Sequence, residues 1–70
     1  MRYRDAARKL SGLGCRIVLR FGKGSHRVWE NPSSGRLATL PDWGSNDLKN
    51  GTLRAAVKQL GLMGEEFINA

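Results

Sequence analysis

A change of hydrophobic period at Gly14 limits what this chain can become more than any other feature. Before it, Tyr3, Ala6, Ala7, Leu10 and Leu13 fall at the spacing of one helical face. After it, Cys15, Ile17, Leu19 and Phe21 alternate with Arg16, Val18 and Arg20, the period of a strand with one buried and one basic face. A helix handing over to a strand within three residues needs a sharp stop, and Gly12 and Gly14 suit it. Asp5 and Lys9 stand four apart with the acid nearer the N-terminus, the favourable orientation for an ion pair along the helix.

The strand runs into Gly22-Lys23-Gly24-Ser25, two glycines able to take the positive φ of a tight hairpin, and returns as His26-Arg27-Val28-Trp29-Glu30. Asn31-Pro32-Ser33-Ser34-Gly35 is dense in turn formers and leads to a third strand, Arg36 to Leu40, closed by Pro41. After a loop from Asp42 to Asn46, Leu53, Ala56, Val57 and Leu60 mark a second helical stripe with Arg54 and Lys58 facing away. Gly61 can end it, and Glu65 to Ile68 can make one more turn. A sheet with one apolar face needs a cover, so the expected class is α+β: a three-stranded antiparallel sheet backed on one face by two helices, in one domain over residues 1–70.

Alternation also divides the second strand. Trp29 lies on the opposite side from His26 and Val28, so an indole in the core leaves His26 on the open face beside Arg16 and Arg20, whereas strand twist or a bulge at the turn would reverse this. Trp43, in a loop between Pro41 and Gly44, either caps the core or offers a ring for stacking on a base.

Twelve Lys and Arg against six Asp and Glu give a net charge of +6 on 70 residues, spread along the chain and not gathered in a tail. Polyanions are the natural partners of such a body, and its small core leaves little room for a deep catalytic cavity. The single cysteine, Cys15, excludes an intrachain disulfide and fits a reducing compartment. No apolar run approaches the ~18 residues of a spanning helix and the N-terminus lacks a signal-peptide stretch, so a cytoplasmic protein without membrane contact is expected.

Most standard sites fail on spacing. Lys23-Gly24-Ser25 has the wrong spacing for a phosphate loop and feeds a strand, one Cys and one His make no recognisable metal set with Asp42 and Asp47, and Ser25 points away from its neighbour His26 in a strand. What remains is one imidazole among cations. An imidazole's reference pKa near ~6.5 lets it move a proton near neutrality, so His26 could activate a ribose 2′-hydroxyl while Arg20, Lys23 and Arg27 hold phosphate and Gly24 and Ser25 allow close backbone approach. No metal or other cofactor is needed for that chemistry. A general acid for the leaving 5′-oxygen is missing, with water, Tyr3, a lysine or a second subunit as candidates. On residues alone two other classes stay open: a non-catalytic RNA-binding module with a structural histidine, and a small domain that meets an acidic protein.

In order along the chain, Leu10 to Gly14 (LSGLG), Lys23 to His26 (KGSH), Asn31-Pro32 with Gly35-Arg36, Leu40-Pro41, Asp47 to Lys49 (DLK), Gly51 to Leu53 (GTL), Lys58 to Leu62 (KQLGL) and Glu65 to Phe67 resemble the HicA toxins. Asp42-Trp43 and Asn50 depart from the family's usual pattern, which often has a histidine or small polar residues at the first position and a proline at the second. The resemblance implies a fold like that of a double-stranded-RNA-binding domain. It also implies an endoribonuclease that cleaves mRNA with His26 as its catalytic residue and is neutralised by a HicB-type antitoxin covering the site.

Overall fold

Each apolar stripe winds into a helix and each alternating stretch pairs into a sheet. The computed structural model describes residues 1–18 and 24–70. Helix α1 (Tyr3–Gly12) is followed by strands β1 (Arg16–Ile17), β2 (His26–Asn31) and β3 (Arg36–Pro41), then by helices α2 (Asn50–Gln59) and α3 (Gly64–Asn69). The strands form an antiparallel meander in the order β1-β2-β3. This is the expected α+β arrangement, with Glu65 to Ile68 inside α3.

The helices stop as abruptly as the period change demands. At the end of α1 the Cys15 amide donates to the Leu10 carbonyl (2.9 Å) and the Gly14 amide to Ser11 (3.1 Å), the paired bonds of a Schellman motif. At the end of α2, Leu62 donates to Val57 (3.1 Å) and Gly61 to Lys58 (3.0 Å), the same device. Gly61 has φ +75°, a left-handed conformation that favours glycine.

Tyr3, Ala6 and Leu10 of α1 and Leu53, Ala56 and Val57 of α2 bury into one cluster with Trp29, Ala38 and Leu40 of the sheet. The two helices therefore cover the same sheet face, and Leu10, Leu40 and Leu60 are its most enclosed large side chains. Cys15 is buried and Arg16 exposed, as the alternation expects, but Ile17 is 37% exposed and Val18 half-buried, so the expected contrast between the two faces is not kept along β1, the edge strand of the sheet. Among the described residues, pairing of β1 covers Arg16 and Ile17, and the Val18 amide adds one bond to the Val28 carbonyl (2.8 Å). Leu19, Arg20 and Phe21 of the expected strand, and Gly22 and Lys23 of the expected turn, lie outside the described residues.

The expected Asp5–Lys9 pair is not formed. Asp5 instead accepts the Arg2 amide (3.3 Å) at the start of α1, while Nζ of Lys9 donates to the carbonyls of Ile68 (2.9 Å) and Ala70 (3.1 Å). The ammonium thus satisfies two carbonyl acceptors at the C-terminal end of α3, where the helix dipole also favours a cation.

Asn31 ties the sheet to α2. It is buried, donates Nδ2 to the Leu60 carbonyl (2.8 Å) and accepts the Ser33 amide on Oδ1 (3.2 Å), while Oγ of Ser34 also reaches Leu60 O (3.2 Å). Asn31→Leu keeps the branched shape and strips the carbonyl of that buried donor. It is expected to cost about 1–3 kcal/mol, lowering the thermal midpoint by about 4–8 °C for each kcal/mol, as circular dichroism melting would measure.

Candidate functional site

His26 opens β2, directly after the turn at Gly24 and Ser25, and is paired across the sheet with Pro41. Along β2, Arg27, Trp29 and Asn31 face the helices, with Trp29 only 3% exposed, so His26, Val28 and Glu30 face the open side. His26 is exposed. Of the two arrangements the alternation allowed, the indole in the core is the one adopted.

Gly24 has φ +55°, a left-handed conformation that a side chain would strain, although a Cβ there would meet open space. Its place in the turn is set by backbone conformation, not by crowding. The Asp42 amide donates to the Ser25 carbonyl (2.6 Å) and continues the β2–β3 ladder beyond the His26–Pro41 pair. The imidazole therefore sits where two strands have just met, on a backbone fixed from one side by β3.

The cations are arranged differently from the sequence expectation. Arg16 stands opposite Glu30, with Nε at 2.9 Å and an Nη at 2.8 Å from Oε1, and Glu30 is four residues from His26 along β2, or about 13 Å at the usual strand rise. It does not lie beside the imidazole. Arg27 is half-buried, on the helix side of the strand, and its guanidinium donates to the carbonyls of Gly24 and His26 (3.3 Å to the latter) and lies 3.9 Å from Oδ2 of Asp42. Arg20 and Lys23 fall outside the described residues. Gly24 and Ser25 are exposed and stand directly before the histidine, as expected.

Tyr3, one candidate proton donor, sits 8% exposed in the core, where its hydroxyl accepts Nε1–H of Trp29 (3.2 Å). Burial raises its pKa, the Trp29 hydrogen bond opposes that, and Asp42 and Arg27 add smaller contributions of opposite sign. The phenol is held protonated on the far face of the sheet from His26. Burial also raises the pKa of Cys15, which keeps the thiol protonated and unreactive. Trp43 lies two residues beyond Pro41 and is 39% exposed, so part of its ring stays open to solvent.

Among the described residues, no three His, Cys, Asp or Glu side chains converge as metal ligands, and no helix is long and apolar enough to cross a membrane. A groove of about 560 Å³ between α2 and α3, lined by Leu53, Val57, Leu62, Phe67 and Ile68 with Arg54 and Lys58, belongs to the helical layer and not to the face that carries His26. Among the described residues, His26 is exposed on the sheet face that the helices leave uncovered. An exposed imidazole is within reach of an extended polymer.

The family model described as HicA toxin of bacterial toxin–antitoxin matches residues 3–62, from the start of α1 to just beyond α2. No curated protein matches the chain.

Proposed function

Because the chain belongs to the HicA toxin family, the toxin half of a toxin–antitoxin pair, we propose that it is an endoribonuclease that cleaves mRNA at His26. The observation that carries this is the exposure of the chain's one imidazole on the open sheet face, at the head of β2 and within the segment the family match covers. His26 takes the proton of a ribose 2′-hydroxyl, and O2′ attacks the adjacent phosphorus. The P–O5′ bond breaks as the cyclic phosphate forms, and the leaving O5′ takes its proton from solvent, which reaches this exposed site. Lys23 and Arg20, close in sequence, supply positive charge for the phosphorane. Gly24 lets the nucleic-acid backbone approach without a side chain in the way, and the Ser25 hydroxyl can bind a phosphate oxygen. No step calls for a metal.

RNA binding draws on the net charge of +6. If about three phosphates are neutralised, the logarithm of affinity falls with the logarithm of salt concentration at a slope of about −2 for a single strand. Filter binding of an RNA oligonucleotide to the His26→Ala protein between low and physiological salt measures it; a flat response would remove the RNA-binding step.

The antitoxin that the family requires is, on this account, a HicB-type protein that covers the open face around His26. Cytoplasmic residence follows from the mRNA substrate. The same net positive charge would serve a non-catalytic RNA-binding module, and the two readings part on whether bound RNA is cut. Incubation of the purified folded protein with mRNA decides this, with discrete fragments expected and intact RNA counting against the proposal.

A further inference from the structure

Arg27 is next to His26 in sequence, yet its guanidinium is turned away from the face that carries the imidazole. Strand alternation sends it to the helix side with Trp29, where it is half-buried. There it donates to the carbonyls of Gly24 and His26, the residues on either side of Ser25, and lies 3.9 Å from Oδ2 of Asp42. Asp42 is in turn fixed by its own loop: its amide donates to Ser25 O (2.6 Å), and its Oδ1 accepts the Gly44 amide (3.1 Å). Side chain and main chain close a ring around Gly24-Ser25-His26.

From this geometry we infer that Arg27 and Asp42 form a positioning pair that fixes the turn carrying His26, and that Arg27 is not a phosphate ligand. The inference rests on the proposed role of His26. Among the described residues, the contacts that hold the turn at Gly24 and Ser25 are those of the Arg27 guanidinium and of the Asp42 amide. The guanidinium, with its rigid fork of donors, is suited to holding two carbonyls and a carboxylate at once, which a lysine ammonium on a flexible stem does less well. Its charge is already met by Asp42 and by two carbonyl dipoles, on the face opposite the imidazole. A phosphate bound at His26 would have to draw it away from all three.

The two roles predict opposite kinetics. As a positioning pair, Arg27→Ala and Asp42→Ala each lower kcat for an RNA oligonucleotide by about tenfold or more, since a displacement of about 1 Å can cost about 10²-fold. KM and the salt slope of binding stay near the wild-type values. The double variant is no worse than either single one, because each change breaks the same ring, and Arg27→Lys recovers part of kcat. As a phosphate ligand, Arg27→Ala would instead raise KM and reduce the salt slope by about one, while Asp42→Ala would free the cation, tighten RNA binding and leave kcat intact. That pattern overturns the inference. Should Asp42→Ala not fold, Asp42→Asn removes the charge at nearly constant shape and takes its place.

A second readout does not depend on catalysis. Hydrogen exchange of the Asp42 amide in Arg27→Ala is expected to accelerate while the Trp29 amide stays protected; unchanged protection at Asp42 would show that no brace exists. If the His26→Ala protein cuts RNA as fast as wild type, the nuclease assignment to His26 falls, and the exchange result still decides whether the ring holds the turn.

Discussion

His26→Ala is expected to lower the rate of RNA cleavage by about 10²–10⁴-fold while RNA affinity changes by less than about threefold, the loss typical of removing a positioned general base. The split between rate and affinity follows from where the side chain sits. His26 is exposed on the open face, so its removal opens no cavity and leaves the core contacts of Trp29, Ala38 and Leu40 in place. Binding depends mainly on spread positive charge, which the substitution does not alter. Single-turnover cleavage of a labelled oligonucleotide, paired with filter binding, reads both quantities. A fall in affinity matching the fall in rate would make His26 a binding residue, and an unchanged rate would take the chemistry elsewhere.

Trp29→Ala is expected to unfold the protein or come close to it. Truncating a buried tryptophan costs about 3–5 kcal/mol, and a chain of this length has roughly 4–10 kcal/mol in all at the usual stability per residue. Trp29 is 3% exposed, lies opposite Ala38 in β3 and Ile17 in β1, and donates Nε1–H to the Tyr3 hydroxyl (3.2 Å), so it joins the middle strand to both neighbours and to α1. The hydrogen bond is separable from the packing. Tyr3→Phe leaves the indole N–H without its buried acceptor and is expected to cost about 1–3 kcal/mol, whereas Trp29→Phe with Tyr3→Phe removes both polar partners. Urea unfolding followed by circular dichroism distinguishes these cases; a wild-type midpoint for Trp29→Ala would contradict the placement of the core.

These effects fall on residues that the sequence makes visible to different degrees. Periodicity exposes α1, the strands and the stripe of α2, because burial of one face leaves a regular trace in the chain. It also implies that if Trp29 faces the helices, then His26 faces out. The same alternation puts Arg27 with Trp29, away from the imidazole, whereas charge and nearness in sequence group it with the phosphate-binding cations. Long-range polar contacts leave no such trace: Lys9 finds its acceptors at Ile68 and Ala70, and Asn31 reaches Leu60 across the fold, pairings that no local spacing announces. A turn-rich Asn-Pro-Ser-Ser-Gly run signals only that the chain reverses there. That its first residue also caps the end of α2 depends on how the hairpin and the helix happen to be juxtaposed by the core.

Nothing near Asp42 in sequence marks it as a partner for Arg27. Only the β2–β3 register, with His26 opposite Pro41 and Arg27 opposite Leu40, brings the two together.

The most direct measurement is induced expression of the wild-type protein and of His26→Ala in a bacterial host, at equal soluble levels, with growth and the integrity of a reporter mRNA followed together. Growth arrest with loss of the mRNA for the wild type, and neither for His26→Ala, is the predicted result. Equal mRNA loss with both proteins, or intact mRNA with both, would contradict a ribonuclease that works through His26.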